Sequence, residues 1–165
     1  MEVYFIRHGI AADRADYPQD EDRPLTERGR EKTKQVARRL GEIGISFDLI
    51  LTSPLLRATQ TAAILQKTGL SQEVEEFSPL APHGDFQTWE NWLCQWCYNR
   101  KRSYLALVGH QPDLANWAEI LLWGEIQGKL VLKKAGAMAL QLPREGTIVG
   151  KSQLFLLTSP KWLIT

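Results

Sequence analysis

The chain has 165 residues, of which 44% are hydrophobic, and a formal net charge of +1 at pH 7. This length and composition predict a single domain over residues 1–165 with a substantial core. The near-neutral charge argues against nucleic acid or a membrane surface as a partner, and no apolar stretch approaches the length of a membrane span. The first chemically distinctive residues are Arg7 and His8, which leaves no room for a signal peptide before them, so we expect a cytoplasmic protein.

Strand and helix patterns alternate along most of the chain. The apolar runs predict strands at 3–6, 49–52, near 74 and at 105–108, and the helical patterns fall at 26–43, 54–67, 86–99 and 113–123. Three further extended segments, at 129–133, 136–142 and 147–157, predict antiparallel hairpins. The sequence therefore indicates an α/β fold with a mainly parallel central sheet, helices on both faces and antiparallel strands at the C-terminal end.

Three of these predicted strands end in an arginine or a histidine. Arg7 and His8 follow the first strand, Arg57 lies in the first turn of the helix after the second, and His110 follows the strand at 105–108. The carboxyl ends of parallel strands lie on one side of a sheet, so these four side chains are expected to converge on one pocket. Guanidinium groups grip phosphate oxygens and an imidazole can attack phosphorus. A single Arg-His-Gly would more often be a surface arginine beside a capping or core histidine, but the repetition favours a phosphate-handling site.

A set of short motifs gives the chain a family resemblance. The motifs are Arg7-His8-Gly9, Leu25-Thr26-Glu27-Arg28-Gly29, Ser53-Pro54 with Arg57-Ala58 and Thr61, and Gly109-His110. This combination resembles the histidine phosphatase superfamily, which includes phosphoglycerate mutase-like enzymes, over residues 2 to about 142. The short chain, with Arg23-Pro24-Leu25-Thr26 and Pro82-His83-Gly84-Asp85, is most similar to SixA-type bacterial phosphohistidine phosphatases.

The resemblance implies a phosphoglycerate mutase-like fold and a metal-independent phosphatase. His8 would be the nucleophile that forms a covalent phosphohistidine, which water then hydrolyses. Arg7 and Arg57 would neutralise the nonbridging oxygens, and His110, if protonated, would be a further cation. We expect neither a metal nor a cofactor, because these side chains supply the positive charge.

The loop at 11–24 is predicted to form one wall of the site. Arg23, just before a helix, either contacts the phosphate or substrate or is a solvated loop arginine, and the sequence leaves both open. The five acidic residues of this loop could recognise a basic protein surface, although most charged loops are simply solvated. They are Asp13, Asp16, Asp20, Glu21 and Asp22.

One departure from the family pattern concerns the proton donor for the leaving group. Larger members carry a glutamate after the third strand, where this chain has Phe77-Ser78-Pro79-Leu80. Asp85 is a weak candidate acid, and neither it nor His83 matches the usual position. The imidazole of a phosphohistidine leaves readily once its ring is protonated, whereas an alkoxide leaving group needs a proton donor. We therefore expect the substrate to be a phosphohistidine-bearing protein of a signalling or phosphotransfer system, reached through an open site, because 165 residues leave little room for a lid.

Several alternatives stay open. The chain could be a small-molecule phosphomonoesterase acting on a small phosphorylated substrate, or a catalytically silent phosphate-binding module. A metal hydrolase using His8, His110 and Asp13 or Asp113 is disfavoured, because the spacing is not that of a zinc site and two arginines would repel the ion. The pair Cys94 and Cys97 has no second pair to complete a zinc site, so both thiols are predicted to pack a helix.

Overall fold

The sheet carries six strands in a computed structural model that describes residues 1–97 and 103–164. The strands are β1 (Glu2–Arg7), β2 (Leu49–Thr52), β3 (Val74–Glu76), β4 (Tyr104–Gly109), β5 (Ala137–Gln141) and β6 (Gln153–Thr158). The helices are α1 (Glu27–Glu42), α2 (Leu56–Lys67), α3 (Phe86–Cys97), α4 (Asp113–Trp123) and the short α5 (Pro160–Leu163).

The strand order across the sheet is β3-β2-β4-β1-β5-β6. β3, β2, β4 and β1 run parallel, while β5 pairs antiparallel with β1 and β6 antiparallel with β5. This confirms the predicted α/β class with a mainly parallel sheet and antiparallel strands at the C-terminal end. The carboxyl ends of β1, β2 and β4 therefore lie side by side.

Alternate side chains of the central strands fill two cores, one on each face of the sheet. Val3 and Phe5 of β1 face the core that contains Trp89 of α3 and Trp117 of α4. Tyr4 and Ile6 face the opposite core, which α1 and α2 cover. Successive residues of a strand point to opposite faces, so a strand that is apolar throughout must be covered on both. No helix among residues 1–97 and 103–164 is long and apolar enough to cross a membrane.

The helix boundaries agree closely with the pattern, with one shift near the site. Thr26 caps α1 by accepting a hydrogen bond from the Gly29 N–H at 3.0 Å. α2 begins at Leu56 rather than at 54, because the Ser53 hydroxyl accepts the Leu55 N–H at 3.3 Å, just before the helix, and lies 2.8 Å from Nε2 of His110. The last two residues of the helix predicted at 86–99 lie outside the described residues.

Two C-terminal predictions and one on the thiols were wrong. Residues 129–133 form no strand, because the N–H groups of Lys129 and Leu130 donate to the carboxylate of Glu119 instead of to a strand partner. The last strand starts only at residue 153, after a turn. Cys94 is exposed and so does not pack the helix, whereas Cys97 is half-buried; both thiols are free.

Candidate active site

His8 lies buried at the carboxyl end of β1, with 6% of its surface exposed. Its Nδ1 is 2.7 Å from the carbonyl oxygen of Gly9, an acceptor, so Nδ1 carries the proton and Nε2 keeps its lone pair. Burial, with smaller effects from His110 and the two site arginines, lowers the pKa of His8 to about 3. At neutral pH the ring is therefore an uncharged nucleophile in a fixed tautomer.

The turn after His8 is held tightly. The His8 N–H donates to the Gly109 carbonyl of β4 at 3.1 Å, and the Gly9 N–H donates to the Thr61 hydroxyl of α2 at 3.1 Å. A Cβ on Gly9 would collide with the Thr33 hydroxyl of α1. Only glycine fits this close approach, so the position of His8 is set by two helices and a neighbouring strand.

His110 comes from the end of β4 and faces His8, with ring centroids 5.2 Å apart. Its Nε2 lies 2.8 Å from the Ser53 hydroxyl, which follows β2. Burial, followed by the positive charge of Arg57, lowers the pKa of His110 to about 4. The imidazole is thus neutral at neutral pH, and a bound anion would favour the protonated form that the family resemblance implies.

Arg7 and Arg57 both line the same cavity of about 320 Å³ as the two histidines. Arg57 is 3% exposed, and burial lowers the pKa of both guanidinium groups, although arginine stays charged in proteins. One N–H of Arg7 donates to the Leu132 carbonyl at 3.0 Å. The Nε atoms of Arg7 and Arg57 are buried without a hydrogen-bond partner. Buried unpaired donors are costly, and these two belong to side chains that line the cavity.

Arg23 also lines the cavity and is not a freely solvated loop residue. Its Nη1 donates to the Ala12 carbonyl at 3.0 Å, and its Nε lies 2.8 Å from the carboxylate of Asp20. Asp20 also receives Arg57, through Nη2 to Oδ2 at 2.8 Å and Nη1 to its backbone carbonyl at 2.7 Å. Arg14 makes a third ion pair with it at 2.7 Å. Asp20 was expected only as one loop acid among five; it points inward, while the other four are exposed.

Asp85 does not reach the cavity. Its carboxylate accepts hydrogen bonds from the Thr88 N–H at 2.9 Å, the Thr88 hydroxyl at 2.5 Å and the Gln87 N–H at 3.4 Å, at the start of α3. These bonds, those from Thr88 first, hold the pKa of Asp85 below its usual value, so the group is an ionised helix cap rather than a proton donor. The prediction that Asp85 is a weak candidate acid is therefore not supported by its position.

His83, by contrast, lines the cavity. It is exposed and has a left-handed backbone with φ of 65°, and its N–H donates to the Asp113 carboxylate at 3.2 Å. Asp113 thus braces the turn that carries His83.

A buried carboxylate that sequence reasoning missed supports the opposite wall. Glu119 of α4 is fully buried and accepts the N–H groups of residues 127, 128, 129 and 130 at 2.5 to 2.7 Å. Burial alone would raise the pKa of Glu119, but these four donors outweigh it and lower the pKa. The segment that they fix leads to Leu132, whose carbonyl receives Arg7. Glu119 therefore braces the loop behind Arg7.

The donor set does not favour a metal. Within residues 1–97 and 103–164, no three His, Cys, Asp or Glu side chains are grouped so as to hold an ion. Asp13, one proposed ligand, caps a 3-10 turn by accepting the Ala15 N–H at 3.0 Å. Asp113 is engaged by His83.

Two histidines and two arginines therefore line one cavity at the carboxyl edge of a mainly parallel α/β sheet. Residues 3–92 match the family described as "Histidine phosphatase superfamily (branch 1)", and the chain belongs to this superfamily. An uncharacterised protein of Picosynechococcus sp. is 51% identical over 168 residues, which cover 99% of both chains.

Solved structures show the same fold. The protein histidine phosphatase SixA complexed with tungstate superposes with a TM-score of 0.85 at 26% identity, covering 99% of each chain. The alpha-ribazole phosphatase from Shigella flexneri has a TM-score of 0.72 at 19% identity, covering 97% of each chain. The second likeness shows the fold alone.

Proposed function

We propose that the protein is a phosphatase that works through a covalent phosphohistidine at His8 and dephosphorylates phosphohistidine side chains of a protein partner. The observation that carries the proposal is the tautomer of His8. Because Nδ1 donates to the Gly9 carbonyl, the unprotonated Nε2 is available as nucleophile. The ring centroids of His8 and His110 are 5.2 Å apart, and Arg7 and Arg57 line the same cavity.

The reaction has two displacements. In the first, the substrate imidazole is already protonated on its free nitrogen. A bond forms between Nε2 of His8 and phosphorus as the bond from phosphorus to the substrate nitrogen breaks, and that nitrogen keeps the electron pair, so neutral imidazole leaves. In the second, a water oxygen attacks phosphorus, the bond to Nε2 breaks with its electron pair returning to His8, and phosphate is released while one water proton passes to solvent. Arg7 and Arg57 hold the nonbridging oxygens in both steps, since negative charge rests there throughout. His110 takes up a proton and joins them once the anion lowers the cost of its charge.

The choice of phosphohistidine follows from the carboxylates around the cavity. Asp85 caps α3, whereas Asp113 lines the cavity but already accepts the N–H of His83 on its carboxylate. We therefore take neither as the proton donor to a departing alkoxide, a role worth about a hundredfold to ten-thousandfold in rate. An imidazole already protonated on its free nitrogen leaves without that help. The likeness to SixA, a protein histidine phosphatase by its printed description, agrees with this substrate class.

A small-molecule phosphomonoesterase is the second candidate, and His83 is the observation that favours it. Its imidazole lines the cavity and could act as the proton donor to a leaving oxygen there. The fold is also that of the alpha-ribazole phosphatase from Shigella flexneri, whose printed name gives a small molecule as its substrate.

A substrate panel tests the proposal. Phosphate release is measured from a phosphohistidine peptide, p-nitrophenyl phosphate and a sugar phosphate, with and without a chelator. We expect the phosphohistidine peptide to be cleaved fastest, the aryl ester to follow and the sugar phosphate to be slow, with no loss on chelation. Efficient cleavage of the sugar phosphate alone would favour the phosphomonoesterase, and no release from any substrate would leave a binding module.

The nucleophile is tested by trapping. Brief reaction with labelled substrate and an acid-free quench should leave base-stable, acid-labile phosphate on the wild type and none on His8→Ala. Equal labelling of both proteins would remove His8 from this role.

A further inference from the structure

Asp20 is the one acidic residue of the 11–24 loop that is drawn into the arginine cluster. Its side chain is 24% exposed, and its carboxylate contacts Arg14, Arg23 and Arg57 at 2.7 to 2.8 Å. An exposed ion pair contributes little, but here one anion is shared by three cations and one of them, Arg57, has 4% of its side chain exposed. Such a network fixes geometry as well as charge.

The bonds to Arg57 use one edge of its guanidinium group. Nη1 donates to the backbone carbonyl of Asp20 and Nη2 to its carboxylate, so the edge formed by the two Nη atoms is occupied. The edge that contains Nε stays without a partner, although this atom is buried. A guanidinium group has donors on both edges of its plane, so one edge can be held by the protein while the other receives an oxyanion.

Asp20 is linked to the cavity through two arginines. Arg23 and Arg57, which both contact it, line the cavity, whereas Asp20 is not among the lining residues in the described part of the chain. The carboxylate therefore does not occupy the place of the ligand. It contacts Arg57 from the short 3-10 turn Asp20–Asp22 of the 11–24 loop, which packs against α2.

We propose that Asp20 is a positioning residue that fixes the guanidinium of Arg57 at the wall of the cavity and couples the 11–24 loop to the phosphate site. The inference rests on the proposed function in taking the cavity as the phosphate site. Arginine loses side-chain freedom when it binds, and a guanidinium held in advance binds an anion more tightly and orients it better. The charge of Asp20 acts the other way, because a nearby carboxylate repels phosphate.

These two effects predict opposite results, which makes the inference testable. If positioning dominates, loss of the carboxylate weakens phosphate binding. If Asp20 is only a competing anion, its loss strengthens binding.

The dissociation constant of inorganic phosphate, measured by calorimetry, decides between them without any turnover. Asp20→Asn is compared with Asp22→Asn, which removes the same charge from an exposed position in the same turn. We expect Asp20→Asn to weaken phosphate binding several-fold and Asp20→Ala about tenfold, as for a lost charge-assisted hydrogen bond, while Asp22→Asn changes it by less than about twofold. Unchanged or tighter binding by both Asp20 variants would overturn the inference.

A double-mutant cycle with Arg57→Ala tests whether Asp20 acts through Arg57. In that background Asp20→Asn should no longer weaken phosphate binding, whereas fully additive losses would overturn the inference. If the wild type binds phosphate but releases none from any substrate, the proposed function fails and the phosphate affinities still decide the role of Asp20.

Discussion

Acidification is expected to destabilise the protein through the two buried histidines of the site. Burial first, then neighbouring positive charge, holds the pKa of His8 at about 3 and that of His110 at about 4 in the folded chain, against 6.5 for an unperturbed histidine. In the unfolded chain both rings return to that ordinary value. As the pH falls below about 6.5, the two histidines take up protons in the unfolded chain before they do so in the folded chain. The stability that they contribute is therefore fully present above about pH 6.5 and is lost as the pH falls below it.

The size of the effect follows from these values. At about pH 5, protonation of each ring in the unfolded chain favours unfolding by about 2 kcal/mol. This pH lies about 1.5 units below the pKa of a histidine in the unfolded chain, and above the pKa of both rings in the folded chain. The free energy of unfolding should therefore fall by about 4 kcal/mol between about pH 7.5 and about pH 5.

Urea denaturation at the two pH values measures this change. His8→Gln and His110→Gln should each remove about half of the pH dependence, whatever they do to stability at neutral pH. His83→Gln is the matched control, because His83 is exposed, and it should keep the full dependence. The reasoning would be refuted if the wild type had the same free energy of unfolding at both pH values. It would also be refuted if His8→Gln kept the full pH dependence of that free energy.

Three further predictions concern the site and its supports. Arg57→Lys keeps the charge but loses the two-edged fork, so kcat/KM in the phosphate-release assay should fall about a hundredfold; an unimpaired variant would reduce Arg57 to a helix residue. Asp85→Asn and His83→Ala should each leave phosphohistidine cleavage within about twofold of wild type, and a sugar-phosphatase activity lost in His83→Ala would instead promote the phosphomonoesterase. Glu119→Gln should lower the free energy of unfolding by about 2 to 3 kcal/mol in urea, because a buried amide replaces an acceptor of four N–H groups, while exposed Glu125→Gln should change little.

Local signals predicted much of the fold. The strand at 49–52 and the helix at 113–123 have the bounds that the sequence indicates, and Thr26 caps its helix as expected. Apolar runs bounded by glycine and capping residues carry this information within a few neighbours. The convergence of Arg7, His8, Arg57 and His110 was also predictable, because parallel strands bring their carboxyl ends to one edge of the sheet; the order β2-β4-β1 then makes these three ends neighbours.

What the sequence could not supply depends on contacts between distant segments. The segment at 129–133 has a strand-like composition, but its N–H groups are taken by Glu119, a residue ten positions away in another element. A glutamate among Trp117, Ala118, Ile120 and Leu121 is the one local sign of that role. Asp20 looks like any loop acid, and only the fold shows that Arg57, 37 positions later, meets it. The role of Asp85 depended on whether its carboxylate turned to α3 or to the cavity.

The position of β4 between β1 and β2 has a consequence for biosynthesis. When the first hundred residues have left the ribosome, His8 and Arg57 have been made, but β4, the strand that joins β1 to β2 in the native sheet, is still missing. Until β4 arrives, β1 and β2 each offer an unpaired apolar edge, a state that invites association with other chains. The same insertion brings His110, so the strand that closes the gap also completes the cavity. Premature termination within this region should therefore yield aggregates rather than partly active protein.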